Sequence, residues 1–303
     1  MELFSLGLSP VVRSRSNPNW RRLRQDQVFY YKSRGHNGRR VLSIAFRFTS
    51  HEDDHQFALF YPYSPTNLYS YLNRLTVESE RSKLGRTKDT YDSHQAKDSR
   101  NEVYCIEQLC TSVLSKPIHS ITIYDRKLND QYRPKVIVIG RLHGNLDSVS
   151  SYVCQGLVDF ALCDHPVARF ARKSMQLIVV PMLDPDSIIV GNTRTDIFGQ
   201  SEMTAKLVQS NPNVYSHINR LVEMLKETTM EHRTILLELR VNVKLIGVRT
   251  VSILYNDAIR MERHLQLPRL FARFIESFNL EKCVFFEKGD GPHLPFADVG
   301  LVL

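Results

Sequence analysis

Residues 135–145 read KVIVIGRLHGN, and residues 176–204 read QLIVVPMLDPDSIIVGNTRTDIFGQSEMT. Val136, Ile137, Val138 and Ile139 form an unbroken apolar run rich in β-branched side chains. Such a run predicts a strand covered on both faces, because a half-exposed strand would alternate apolar and polar residues. Gly140 ends the run and His143 follows soon after. Between the two stretches, Val149, Val153, Leu157 and Phe160 recur at helical spacing. A second apolar run, 177–180, stops at Pro181. Strand, helix and strand in this order predict an α/β sheet, whose ligand sites lie beyond the carboxyl ends of its strands. His143 and the loop expected at Asp184-Pro185-Asp186 fall in that kind of place.

Working outward, residues 1–63 read as β. The segments 27–32 (QVFYYK), 41–48 (VLSIAFRF) and 56–63 (QFALFYPY) are rich in aromatic and β-branched residues, with turn-forming or charged residues between them. Between the last two lies His51-Glu52-Asp53-Asp54-His55, which matches the H-E-x-x-H pattern of helical zinc proteases. That motif needs a helix, so that histidines four apart share one face. The flanking strands predict a polar hairpin loop instead. Residues 64–75 predict a turn and a short helix. Residues 78–102 are polar and charged and predict a long loop. Strands are expected around 103–109 and 118–124. An amphipathic helix is expected through Val214, Ile218, Leu221, Val222 and Leu225, then strands at 235–241 and 251–255, then a helix opening at Leu267-Pro268.

Composition is that of a globular chain, with 42% hydrophobic and 24% charged residues in 303. No apolar run approaches the roughly 20 residues of a membrane span, and MELFSLGLSP has no basic region ahead of its apolar residues, so no secretory signal is read. Five cysteines (Cys105, Cys110, Cys154, Cys163, Cys283) lack paired spacing. Cys154 and Cys163 are expected as packed free thiols. Together these features favour the cytosol. The net charge of +8 is concentrated early, with nine Lys or Arg in residues 1–40 against Glu2 and Asp26. A basic stretch suits acidic tails, anionic lipid or nucleic acid, but for the last two there is nothing here beyond charge.

The segments GRLHGN, VCQGLVDF, VVPMLDPD and IIVGNTR resemble the core of the zinc metallocarboxypeptidases. SPVVRSRSNPNWRRL, QVFYYKSRGH and QFALFYPYSPTNLYSYLNRL extend the resemblance to the cytosolic carboxypeptidases, the branch that trims glutamates from tubulin tails. The resemblance implies a mixed sheet flanked by helices over residues 64–303, preceded by a partial N-terminal β-sandwich domain over 1–63. It further implies that the chain begins inside that sandwich and stops before the family's last strand and helix, leaving strand edges exposed and stability marginal. The implied partners are acidic polyglutamylated tails of tubulin or other proteins, with no nucleic acid and no membrane. The implied place is the cytoplasm, associated with microtubules, centrioles or cilia.

The resemblance also implies zinc, held by three protein ligands with a fourth position open for water. His143 matches the first ligand. The second, a glutamate in an H-P-G-E pattern, falls on Leu146 by simple spacing. From His143 to Gly156 the chain is one residue longer than the family pattern; an insertion just after His143 would bring Asp147 onto the ligand position instead. The third ligand, a histidine ending a strand, falls on Arg240. Arginine stays protonated and has no lone pair to offer. The family's G-x-D-L-N-R clamp for the substrate carboxylate becomes Gly199-Gln200-Ser201-Glu202-Met203-Thr204, which has no cationic fork. Arg194 matches a family arginine expected near the scissile carbonyl and is the candidate substrate-binding residue. The general-base glutamate has no clear counterpart; Glu287, in FFEKGDG, is the candidate. These replacements predict a catalytically impaired protein that binds zinc weakly or not at all. The alternative is an active zinc carboxypeptidase acting on polyglutamate tails, completed by Asp147 or by a residue the motifs do not identify.

Overall fold

The computed structural model describes residue 4 and residues 7–48, 50–84, 103–126, 133–141, 144, 148–193, 195–199, 219–220, 223, 234–239, 252–254 and 284–286. The chain divides into two compact units, one comprising Met1–Pro62, Val241–Val251 and Phe271–Val284 and the other Tyr63–Arg240, Ser252–Leu270 and Phe285–Leu303.

In the first unit, β1 (Val11–Ser14) is the central strand of a three-stranded antiparallel sheet, between β2 (Arg21–Arg22) and β5 (His55–Ala58). Val11 and Val12 are its buried anchors. β3 (Val28–Lys32) and β4 (Arg40–Ile44) form a separate antiparallel ribbon. The expected hairpin across residues 49–55 is therefore not one: β4 pairs with β3, while β5 crosses to β1. The H-E-x-x-H segment is not helical. Asp53 accepts from the Ser16 hydroxyl at 2.6 Å and the Ser16 N–H at 3.0 Å. These bonds, the hydroxyl first, hold its carboxyl down at about 2. His55 Nδ1 lies 2.9 Å from the Asp53 carbonyl oxygen. The segment is a polar clasp between two loops.

The second unit is built on a five-stranded mixed sheet in the order β10-β8-β9-β7-β6. The strands are β6 (Tyr104–Thr111), β7 (Pro117–Ile123), β8 (Lys135–Gly140), β9 (Gln176–Val180) and β10 (Thr234–Leu239). β10, β8 and β9 are parallel; β7 and β6 are antiparallel additions. β8 sits between parallel neighbours and is covered on both faces, with Ile137, Val138 and Ile139 all buried, as its unbroken apolar run requires. Val138, Val179, Ile121 and Ile123 share one core cluster with Leu68, Tyr71, Leu72 and Leu75 of α1 (Pro65–Leu84) and Cys154, Val158 and Ala161 of α2 (Ser148–Leu162). Further helices are α3 (Pro166–Ser174) and α4 (Pro185–Ile189). Two further short strands are β11 (Ser252–Leu254) and β12 (Val284–Phe286).

α1 is longer than the sequence predicts. It opens at Ser64, whose hydroxyl accepts from Asn67 N–H at 3.2 Å, with Pro65 in the first turn. It then continues to Leu84, nine residues past the expected end and into the stretch read as loop. Residues 76–83 hold Val77 as their one large apolar side chain, but Glu, Arg and Lys are good helix formers. Residues 85–102 lie outside the described residues. So do most of the amphipathic helix expected at 214–225 and all of the helix expected after Leu267.

α2 is a helix where expected, but a different face is buried. Val149, Val153 and Phe160 are 44–49% exposed, whereas Ser151, Cys154 and Val158 are fully buried. The cause is Gly140. A Cβ there would lie 2.9 Å from Cys154 Sγ and 3.3 Å from the Ser150 carbonyl oxygen, so α2 lies against β8 at a distance only small side chains permit. Cys154 is a packed thiol, pushed up to about 12 by burial; Cys163 is exposed, contrary to expectation. Cys283 lies outside the described residues. Val153→Gln is accordingly expected to change stability by no more than about 0.5 kcal/mol in urea denaturation. A loss several times larger would show that the apolar stripe is buried after all. α3 was not expected; His165-Pro166 is its start signal, with His165 Nδ1 accepting from Val167 N–H at 3.2 Å.

Candidate functional site

The three parallel strands end together. Gly140 of β8 lies opposite Leu239 of β10, and Ile139 lies opposite Val180 of β9. The loops leaving β8 and β9 therefore emerge along one edge of the sheet, where α/β folds place their sites.

Arg141 follows β8 in the left-handed region (φ 59) and is fully buried. Its N–H donates to Ser150 Oγ at 2.8 Å, and its carbonyl oxygen accepts from Asp184 N–H at 3.1 Å. The Gly140 carbonyl oxygen accepts from Leu183 N–H at 3.2 Å. These bonds tie the exit of β8 to the exit of β9. Gly144 (φ 37) then approaches the 192–193 backbone so closely that a Cβ would stand 2.6 Å from the Asn192 carbonyl oxygen.

Asp184 is the N-cap of α4. Its carboxylate accepts from Ser187 N–H at 3.1 Å and from the Ser187 hydroxyl in a short bond. It is 5% exposed, and burial raises its carboxyl to about 6 despite both hydrogen bonds; Asp186 and Asp196 add to the rise. Asp186 is equally buried. It accepts from the Ser112 hydroxyl at 2.6 Å and from Leu114 N–H at 2.9 Å, anchoring the β6–β7 turn. Asn192 N–H donates to the Ser187 carbonyl oxygen at 2.8 Å, and Asn192 Nδ2 donates to the Asp196 carbonyl oxygen at 2.7 Å. Asp196 Oδ1 accepts from Phe198 N–H at 2.9 Å. Nearby, Tyr63 is buried, accepts from Gln155 Nε2 at 2.6 Å and meets Tyr152 edge-on at 4.9 Å. Burial keeps both phenols above their ordinary range, with Arg141 opposing the rise.

The sequence-predicted site residues, His143, Asp147, Arg194 and Glu287, all lie outside the described residues, as do Leu146, Arg240, Met203 and Thr204. What is described is the frame around them: Arg141, Gly144 and Ser148 bracket the first candidate ligands, Thr193 and Thr195 bracket Arg194, and Leu239 precedes Arg240. The frame's own acids do structural work. Asp184 and Asp186 are engaged in capping and turn anchoring, and among the described residues no group of three His, Cys, Asp or Glu is arranged to hold a metal. Of the residues at the three expected ligand positions, His143 suits zinc, whereas leucine and arginine do not. The donor set read by simple spacing therefore does not fit the ion. The sequence reads 184–186 as a loop, and the structure corrects this: Pro185–Ile189 is helical and Asp184 is its buried cap.

The zinc carboxypeptidase family matches residues 92–214. Cytosolic carboxypeptidase 6 of Mus musculus is 28% identical over 288 residues, covering 93% of this chain and 49% of that protein. Cytosolic carboxypeptidase 3 of Mus musculus is 32% identical over 236 residues, covering 73% of this chain and 21% of that protein. This chain thus spans about half the length of the first relative. Among solved structures, a metallo-carboxypeptidase from Burkholderia cenocepacia superposes with a TM-score of 0.66 at 15% identity, covering 94% of this chain and 65% of that one. Among the described residues no helix is long and apolar enough to cross a membrane. A mixed sheet whose parallel strands end at one edge, the matched core motifs and relatives spread over nearly the whole chain agree: the chain belongs to the zinc metallocarboxypeptidase family, on its cytosolic carboxypeptidase branch.

Proposed function

We propose that this protein has lost efficient zinc hydrolysis and engages acidic polyglutamylated tails, of tubulin or of other proteins, by charge. One observation carries the reading: Arg240 stands at the third ligand position. A guanidinium stays protonated at any physiological pH, donates only, and repels a dication. Leu146 at the second position adds no donor, and His143 alone binds zinc weakly. Met203 and Thr204 at the clamp positions cannot form a fork for a terminal carboxylate, while Arg194 and the basic residues 1–40 still attract anions. Such attraction, together with the lineage, supports a cytoplasmic protein that meets its partner at microtubules, centrioles or cilia.

A second reading has its own support. With the extra residue between His143 and Gly156, Asp147 takes the second ligand position, and a residue that the motifs do not identify, in place of Arg240, would complete an active carboxypeptidase on glutamate tails, with Glu287 as base. Elemental analysis after dialysis separates the two. Zinc is expected well below one equivalent per chain. With added zinc, a polyglutamate-tailed peptide is expected to release no free glutamate by mass spectrometry, and its binding is expected to weaken steeply with salt and to be indifferent to amidation of its end. About one equivalent of zinc, lost in His143→Ala, or glutamate release abolished by a chelator, would establish the second reading.

A further inference from the structure

The β3–β4 ribbon of the first unit combines three features that the carboxypeptidase chemistry does not use. The first is charge. Residues 27–51 contain no Asp or Glu but hold Lys32, Arg34, Arg39, Arg40 and Arg47. All five are exposed, and none forms an ion pair among the described residues. Elsewhere in the unit, Arg24 is already engaged by Asp26 at 2.6 Å.

The second is a backbone edge with no partner strand among the described residues. Ala45 N–H donates to the Gln27 carbonyl oxygen at 2.8 Å, and Ser33 N–H donates to the Arg39 carbonyl oxygen at 3.0 Å. With the register Phe29↔Ser43 and Tyr31↔Val41, these bonds set the alternation: Phe29 and Tyr31 exchange the ladder hydrogen bonds with β4. The N–H and C=O groups of Arg40, Leu42 and Ile44 therefore point away from β3. Among the described residues no third strand joins the ribbon. An edge of this kind is a template for another extended chain.

The third is an apolar face. Phe29 and Tyr31 lie on one side of the ribbon and are 50% and 49% exposed. The other side is partly occupied by the Phe4–Tyr30 contact and by Arg40, whose guanidinium lies 5.4 Å over the Tyr30 ring.

The geometry points to the outer edge of β4 as a docking strand for an extended acidic polypeptide segment, which adds to the ribbon through its backbone while its carboxylates meet Arg39, Arg40 and Arg47. Main-chain hydrogen bonds hold such a segment, and the side chains flanking it select its charge. β4 is favoured over the outer edge of β3 because three of the five cations lie on it or just beyond its ends. A single-stranded nucleic acid would also meet cations and stack on Phe29 and Tyr31, but it has no use for the open row of N–H and C=O groups. The proposal does not rest on the state of the zinc site, since active and inactive carboxypeptidases would present the same ribbon.

The test uses the full chain, a chelator to prevent cleavage, and a fluorescent ten-residue polyglutamate peptide amidated at its end, followed by anisotropy. Two peptides, this one and the same peptide N-methylated at alternate residues, are compared on the parent chain. The first is also titrated against two variants, the triple Arg39→Ser/Arg40→Ser/Arg47→Ser and the charge-matched triple Arg15→Ser/Arg21→Ser/Arg24→Ser. All six arginines are exposed, and thermal melts check that both variants fold. N-methylation and the ribbon triple are each expected to weaken binding by about tenfold, and the second triple by less than about threefold. Equal losses in the two triples would reduce the effect to diffuse charge and overturn the proposal. Undiminished binding of the N-methylated peptide would exclude strand addition. Tighter binding of an oligothymidylate, lost in Phe29→Ala, would assign the ribbon to single-stranded nucleic acid instead.

Discussion

Asp184→Asn is expected to be more stable than the parent chain at pH 7.5 by about 2–3 kcal/mol, with the gap closing as the pH falls to 4. Asp184 is buried at the start of α4 with Asp186 and Asp196 near enough to oppose its ionisation. Its carboxyl is raised to about 6 from an ordinary value of 3.8. Between those values the folded chain binds more protons than the unfolded chain, so stability is greatest below the unfolded value and is lost as pH rises toward 6. Above that, the fold carries the full cost of a desolvated charge. Asparagine removes the charge and still caps, because its carbonyl oxygen accepts from Ser187 N–H as the carboxylate does. Urea denaturation of both proteins at pH 4.5, 5.5, 6.5 and 7.5 measures the effect. A gap that does not change with pH, or a variant less stable at pH 7.5, would contradict the account of Asp184 as a buried charge tolerated at a cost.

Gly144→Ala is expected to cost about 2–4 kcal/mol, far more than Gly191→Ala. Both glycines have positive φ, 37 and 82, and a side chain at either is strained by about 1 kcal/mol. They differ in their surroundings. A Cβ on Gly191 meets nothing within 4 Å, whereas one on Gly144 meets the Asn192 carbonyl oxygen at 2.6 Å and the Thr193 backbone at 3.0 Å. Backbone cannot swing aside as a side-chain tip can, so the loop after β8 and the loop after α4 must separate. That separation disturbs Asn192, whose bonds to Ser187 and Asp196 hold the frame of the site together. The pair of variants isolates overpacking from backbone strain. Equal losses in the two would mean that strain alone explains Gly144 and that the close approach is dispensable.

The continuous apolar runs at 136–139 and 177–180 determined two central strands, because only strands buried on both faces tolerate such runs. The strand–helix–strand order, together with motifs such as GRLHGN and VVPMLDPD, determined the mixed α/β sheet and the family. Helical periodicity determined that residues 148–162 coil, but not which side they bury. Val149, Val153 and Phe160 are the stronger apolar stripe, yet Ser151, Cys154 and Val158 face the sheet, because Gly140 draws the helix in to a distance that larger side chains could not share. The choice belongs to a contact between positions 14 residues apart. Strand pairing was equally nonlocal: β5 reads as the partner of its neighbour β4, but joins β1 across more than forty residues, and nothing within either strand encodes that choice. The rise at Asp184 likewise came from its burial by residues distant in the chain, with Asp186 and Asp196 adding to it, and the β4 edge, unpaired among the described residues, could be recognised only once its hydrogen-bond alternation was known. Local spacing determines which segments are helix or strand; which faces are buried, which edges stay open and which charges are desolvated are set by partners distant in the chain.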